Sequence, residues 1–388
     1  MEFDWPQDIQ VLSGRVEAFV REEVIPLEEA SRKEGTINSE ALDGVRSKAR
    51  DAQIYAPQLP QELGGLGLNV LEIAPIFEAA GFSLLGPLAL NCAAPDEGNM
   101  HLLGLAATPD QRRKYLEPLA SGEIRSAFAM TEPSPGAGSD PKMLQTTAAL
   151  ENDSWVINGR KWWASGAKGA AFYIVMARTD LSASPSQGSS MILVSSDTPG
   201  VEVVRQVSGL GASWLAGHYE LNFEACSVPE ENVLGEPGRG YTLAQQRLGP
   251  ARLTHCMRWI GAAKRALEIA VEYAKEREAF GSKLSGHQAV QWMLADSDID
   301  LHASRMMVYE AAWQLLQGAR GRRRTSRCKV FVAEAVNRVF DRAIQICGGL
   351  GVSRDLPLGD FYAEARAFRI YDGPSEVHRM VIARELLA

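Results

Sequence analysis

The 388-residue chain is 46% hydrophobic and 23% charged, which is enough apolar content to bury a large core and excludes disordered and fibrous classes. Its formal net charge of -8 and pI near 5.5 offer no general attraction to polyanions, so nucleic-acid binding would need a local basic patch.

The N-terminal MEFDWPQD lacks the basic and apolar regions of a secretory signal, and no stretch reaches the roughly 18 apolar residues of a membrane span, so a soluble protein is expected. From 8 to 124 the pattern is helical, with Val11, Val16, Phe19, Val20 and Val24 at three- and four-residue spacing before a stop at Pro26. Further helices are expected at 40–52, 70–80 and 109–119, separated by the loop PQLPQELGGLGL. Near Ser126 the character changes. Strand-like runs at 146–150, 154–157, 172–177, 191–194 and 219–223 alternate with turn signals at Asn158-Gly159 and Thr198-Pro199-Gly200, the pattern of a compact antiparallel β domain. SVPEENVLGEPGRGY, 227–241, reads as a linker back into helices. Beyond Tyr241 one stripe of Ile260, Ala263, Leu267, Ala270 and Ala274, two long amphipathic segments at 287–316 and 327–347 and a short terminal helix make a bundle. The expected organisation is α+β: an N-terminal helical domain 1–125, a middle β domain 126–236 and a C-terminal helical bundle 237–388. Cys92, Cys226, Cys256, Cys328 and Cys347 are scattered and never form a CxxC pair, which argues against disulfides and a metal site and fits a reducing cytoplasm.

No GxGxxG after a strand, P-loop or HExxH is present, so nicotinamide, nucleoside-triphosphate and zinc chemistry lack their usual support. Four other segments carry chemistry. FAMTEPSPGAGSD, 128–140, is a Gly-rich loop whose N–H groups, Thr131 and Ser139 suit a flavin edge or a phosphate, or form an ordinary turn. NGRKWWASGA, 158–167, offers a tryptophan to stack on a flat ring with Ser165 beside it; two core tryptophans are the bland alternative. In KEREAFGSKLSGHQ, 275–288, Arg277 suits a pyrophosphate or simply ends a solvated helix. QICGGLG, 345–351, has the glycines of a helix C-cap and precedes RIYDGPSEVHR, 369–379, which sets the carboxylate of Asp372 at a Gly-Pro turn. The basic run RGRRRTSRCK, 320–329, reads as a solvated loop, with nucleic-acid binding as its alternative.

In this order the motifs resemble those of the acyl-CoA dehydrogenases over essentially the whole chain: TEP with GAGSD, INGRKWW, RExFG with a downstream HQ, QICGGLG, and YDGPSEVHR in place of YEGTxxIQR. The resemblance implies the acyl-CoA dehydrogenase fold, FAD held between β domain and bundle, and a homodimer or homotetramer in which the adenine end reaches a neighbour. It also implies α,β-dehydrogenation of an acyl-CoA, as in fatty-acid β-oxidation, with electrons passing to an electron-transfer flavoprotein or similar acceptor. Carried over by position, Phe128, Met130, Thr131, Trp163 and Ser165 surround the isoalloxazine and Ser139 sits between flavin and CoA contacts. Arg277, Phe280, Gln288, Gln345, Gly348 and Gly349 hold the pyrophosphate and adenosine, with His287, Cys347 and Glu376 as further cofactor contacts. Ser134 and Pro135 lengthen the TEP loop, and Pro374 and Glu376 replace the usual Thr and Gln.

The implied reaction needs a base facing the α-carbon and donors for the thioester oxygen. Asp372 stands at the position of the family's glutamate base; the alternative base position, on the first bundle helix, is Ala251, which cannot serve. The bland reading of Asp372 is a cap on the terminal helix. A finer resemblance is to the branch acting on 4-hydroxyacyl-CoA or 4-phosphoacyl-CoA, through DGPxEVH, KWWxSGA and RLGPARLTHCMR, 247–258. Arg247, Arg252, His255, Arg258, Tyr371, Gly373 and Ser139 are then the substrate candidates, His255 alternatively being a core histidine and Arg258 an ion-paired surface residue. Nitroalkane-oxidising members of the fold also use an aspartate base and pass electrons to oxygen; GAGSD and Arg252 favour CoA.

Overall fold

In the computed structural model, which describes residues 5–215, 217–318 and 322–388, the helical periodicity of the first third becomes eight helices among the described residues. These are α1 (Gln7–Phe19), α2 (Ile25–Glu34), α3 (Ser39–Asp51), α4 (Ile73–Ala80), α5 (Gly86–Ala89), α6 (Asp96–Ala106), α7 (Pro109–Gln111) and α8 (Glu117–Ser121). Pro26 does not stop the first helix. A π-helical turn, Val20–Val24, hands it on to α2, whose first turn accommodates the proline because its N–H is not needed there. Asn38 caps α3 by accepting from the Ala41 N–H, and Thr108 with Gln111 forms a capping box on α7.

The strands are β1 (Ser126–Ala129), β2 (Thr147–Glu151), β3 (Ser154–Ser165), β4 (Phe172–Arg178), β5 (Ser189–Ser195), β6 (Val201–Val207), β7 (His218–Pro229) and β8 (Val233–Leu234). They form one sheet in the order β6-β7-β3-β2-β4-β5-β8, with β1 laid parallel against β4. The pairing is otherwise mostly antiparallel, as expected. In β4, Phe172, Ile174 and Met176 face the helices, while Tyr173, Val175 and Ala177 face a second core inside the sheet, so the strand is buried on both faces. Asn158-Gly159 is not the hairpin turn. That turn is made by Asn152 and Asp153, both with positive φ (48° and 61°), and Asn158-Gly159 falls at a bulge within β3. The 227–241 stretch likewise contains the end of β7, all of β8 and the start of the next helix.

That helix, α9 (Gly240–Glu276), packs with α10 (Gln288–Leu316), α11 (Arg322–Val352), α12 (Leu358–Phe368) and α13 (Ser375–Leu387) into the bundle. A two-strand ribbon, β9 (Glu278–Ala279) with β10 (Ser282–Lys283), joins α9 to α10. α4 crosses α9 where Gly81 lies on Arg258 O and Gly261 on Glu78 O, an approach that no Cβ would permit. The basic run is only partly a loop. Arg320 and Gly321 lie outside the described residues, but α11 begins at Arg322, and Thr325, Ser326 and Lys329 are buried. All five thiols are free and buried: Cys92 beside α6, Cys226 in β7, Cys256 in α9, and Cys328 and Cys347 in α11. Among the described residues no helix is long and apolar enough to cross a membrane.

Candidate active site

Asp372 sits in the turn between α12 and α13 with φ +54°, a left-handed conformation that a non-glycine residue keeps only when its surroundings impose it. Those surroundings are backbone acceptors met by buried donors. Arg252 Nε donates to Asp372 O at 2.8 Å, His378 Nε2 donates to the same oxygen at 3.2 Å, and Lys329 Nζ donates to Phe368 O at 2.7 Å and Gly373 O at 2.8 Å. His378 thus carries its proton on Nε2, leaving Nδ1 to accept from Ser326 Oγ at 2.9 Å. The carboxylate does not cap α13, whose N-cap position is Pro374 and has no side-chain bond. It faces His255 Nε2 at 3.4 Å. Burial alone would raise the Asp372 pKa, but the facing His255 and the charges of Arg247, Arg252 and Lys329 outweigh it and hold the group below the usual aspartate value. Burial, aided by Arg258, pushes His255 down to about 3, so the facing imidazole is neutral.

The arginines expected at the substrate lie deep. Arg247 is buried, stacks 4.0 Å over the ring of Phe128, and donates to Asn99 Oδ1 at 3.0 Å and Pro95 O at 3.2 Å. From the end of β1 its charge also acts on Asp372. Arg258 is 8% exposed and not a surface residue; Nη1 donates to Cys92 O at 2.7 Å and lies 3.8 Å from Glu97 Oε2, while Nη2 is buried without a hydrogen-bond partner among the described residues. Tyr371 Oη accepts from Trp259 Nε1 at 2.7 Å.

On the sheet side a second bulge in β3, between Lys161 and Ala164, takes Trp162 and Trp163 out of register with β7. Trp162 N–H bonds Thr131 O at 3.0 Å, and Trp163, at φ +55°, turns outward with 42% of its surface exposed. Ser165 Oγ lies 2.9 Å from His218 Nδ1, and the Trp163 and His218 rings are 5.3 Å apart. Below them Lys161 Nζ binds Met130 O at 3.1 Å and Glu132 Oε1 at 2.8 Å, while Glu132 accepts the N–H groups of Ala137, Gln145 and Thr146. This fastens the TEP loop, and leaves Ser139 exposed beyond it.

The remaining candidates stand apart. Arg277, Phe280 and Gln288 are exposed around the β9–β10 ribbon, Phe280 at 99% and φ +53°. His287 organises that ribbon through Ser282 Oγ at 3.0 Å and Ala279 O at 3.1 Å. Gln345, Gly348 and Gly349 are exposed near the end of α11, where Gly348 breaks the helix at φ 57°, and Glu376 is exposed on α13. Cys347, expected at the cofactor, is instead fully buried in the core, side chain and backbone alike. Lys329, His378, His218 and Trp259 belong to the clusters but are missing from the sequence-based set. Only His378, in DGPSEVH, lay inside a motif already singled out for the active site.

The family models for the acyl-CoA dehydrogenase N-terminal, middle and C-terminal domains match residues 6–123, 127–226 and 238–387. The chain is 43% identical over 352 residues to the probable acyl-CoA dehydrogenase FadE2 of Mycobacterium tuberculosis, covering 89% of this chain and 86% of that protein. It is 42% identical over 324 residues to acyl-CoA dehydrogenase family member 11 of Homo sapiens, covering 82% of this chain but only 41% of that longer protein. Butyryl-CoA dehydrogenase from Megasphaera elsdenii superposes over the full length of both chains with a TM-score of 0.90 at 29% identity.

Proposed function

The chain belongs to the acyl-CoA dehydrogenase family, and from that premise we propose that it oxidises the α,β-bond of an acyl-CoA thioester, with Asp372 taking the α-proton. The observation that carries this reading is Asp372 itself: an ionised carboxylate, free of any capping role, held at φ +54° by donors to its own backbone. Holding the turn through its backbone keeps the carboxylate itself available, as a positioned general base requires. Arg252, Lys329 and His378 hold that turn, and Arg247, stacked on Phe128 at the sheet side, adds its charge in favour of the ionised carboxylate.

FAD, when bound, supplies the acceptor for the hydride leaving the β-carbon. The residues present fit it: the β3 bulge presents the outward face of Trp163 to a flat ring, with Ser165, Met130 and Thr131 beside it. Ser139, on the exposed GAGSD loop, is within the same read-out for flavin and CoA. Arg277, Phe280, Gln288, Gln345, Gly348 and Gly349 take the pyrophosphate and adenosine, with His287 and Glu376 as further cofactor contacts. Phe280, 99% exposed in a left-handed conformation, has no reason to be there within one chain. That supports an assembly of two or four copies in which it meets a neighbour and its cofactor.

For the acyl chain, the neutral His255 and the buried, unpartnered Nη2 of Arg258 support a hydroxyl or phosphate at C4. The electron acceptor is an electron-transfer flavoprotein or its like. Anaerobic flavin bleaching against acyl-, 4-hydroxyacyl- and 4-phosphoacyl-CoAs tests these points together, with Asp372→Asn as control. The variant should stay yellow and folded and fail to bleach; bleaching at the wild-type rate removes Asp372 as base. Fast reoxidation by air with stoichiometric peroxide removes the dehydrogenase reading in favour of an oxidase.

A further inference from the structure

Beyond the base itself, a directional line of hydrogen bonds ends on it. Trp259 Nε1 is a donor only, and it meets Tyr371 Oη at 2.7 Å, so the phenol oxygen accepts there and its own O–H is free to point elsewhere. That oxygen lies 3.5 Å from His255 Nδ1. An imidazole that accepts at Nδ1 and is neutral carries its proton on Nε2, and Nε2 faces Asp372 Oδ2 at 3.4 Å. The opposite tautomer would set a lone pair against a carboxylate, so electrostatics selects the same one. The imidazole is clamped in that orientation between the rings of Tyr371 and Phe368, at centroid distances of 4.9 and 6.0 Å.

We propose that His255 is a positioning residue for Asp372: Trp259 and Tyr371 fix its tautomer, and its Nε2–H holds the carboxylate oxygen that is not taking the proton. The proposal rests on the reading of Asp372 as the base. The charged and titratable groups that share this space include Arg247, Arg252 and Arg258 from α9, Lys329 from α11, Glu364 from α12, His378 from α13, and Tyr371 in the turn. The cations among them also favour the ionised carboxylate, so His255 tunes a base that is already ionised and does not create it. Contacts of 3.4 and 3.5 Å are long, as catalytic hydrogen bonds are before a substrate closes the site.

Imidazole 15N–1H spectra of histidine-labelled protein test the tautomer without any turnover, the His255 signals being assigned by their loss in His255→Gln. An Nε2-protonated pattern is expected in the wild type, with Nδ1-protonated species appearing in Tyr371→Phe. An Nδ1-protonated or doubly protonated His255 in the wild type overturns the proposal. The acid limb of the second-order bleaching rate, followed with whichever acyl-CoA bleaches the wild type fastest, supplies the second readout. In His255→Leu it should move up by about one pH unit, because a carboxylate that loses a donor becomes easier to protonate; His255→Gln, which keeps an N–H near the Nε2 position, should restore it. A limb unmoved in His255→Leu also overturns the proposal. Asp372→Asn, measured alongside, separates the two failures: if it bleaches normally the base assignment falls, and if it is inert while His255→Leu keeps its limb only the positioning role falls.

Discussion

Lys161 Nζ and Glu132 Oε1 meet at 2.8 Å with neither side chain more than 2% exposed. Removing one partner of such a pair strands the other charge away from water, so Lys161→Met is expected to cost about 3–5 kcal/mol of stability. Met130 O also loses its donor, and the TEP loop should loosen. Denaturant unfolding measures the first effect, and faster amide exchange across 130–146 the second.

Lys329 titrates far below an ordinary lysine, at about 8, because burial disfavours its charge more than Cys256 and Asp372 favour it. With a folded pKa below the unfolded 10.5, the unfolded chain binds more protons between about pH 8 and 10.5, and stability rises with pH across that window. Lys329→Met should flatten the rise, leaving the part owed to Lys161, which is likewise lowered to about 8. The same variant frees Phe368 O and Gly373 O, letting the Asp372 turn relax, and anaerobic bleaching should slow at least about tenfold.

Trp163 sits in a left-handed conformation with 42% of its surface open, so a ligand that covers it gains a broad ring face. In Trp163→Gly the freedom of glycine at φ +55° partly offsets the lost packing on Trp162 and His218, so the thermal midpoint of the flavin-free protein should fall only modestly. FAD affinity should fall about tenfold as a stacking face is lost. Loss of stability without loss of affinity would make it a structural residue.

Arg258→Met keeps most of the side-chain length while deleting the donors. Cys92 O is left without its 2.7 Å partner, for a stability loss of about 1–3 kcal/mol. A 4-phosphoacyl-CoA should lose at least about tenfold more bleaching efficiency than the plain acyl-CoA. Equal losses would leave Arg258 a purely structural arginine.

How much of this could be read in one dimension depended on whether the signal was local. Asp372 at a Gly-Pro turn, the Gly-rich TEP loop and the paired tryptophans are contiguous motifs, each legible within a stretch of a few residues. Asn158-Gly159 misled because a hairpin dipeptide is equally suited to a bulge, and Asn152-Asp153 supplied the turn a few residues earlier. His218 was invisible for a different reason: it reaches Ser165 only through the register of β3 on β7, 53 residues away in sequence. Lys329 was hidden by its neighbours. A run of cations reads as solvated, yet the helical phase that buries Thr325, Cys328, Val332 and Val336 carries Lys329 inward with them.

The placement of the five thiols gives the chain a built-in reporter of where it opens. Each is inaccessible to an alkylating reagent until the element around it gives way, and they are spread over the N-terminal helices, the sheet and two bundle helices. Under a pulse of iodoacetamide in mild denaturant, carboxamidomethyl mass on the peptide bearing Cys92, Cys226 or Cys347 would date the opening of each region separately. Without introducing a single label, one could learn whether the sheet that carries Trp163 comes apart before or together with the bundle that carries Asp372.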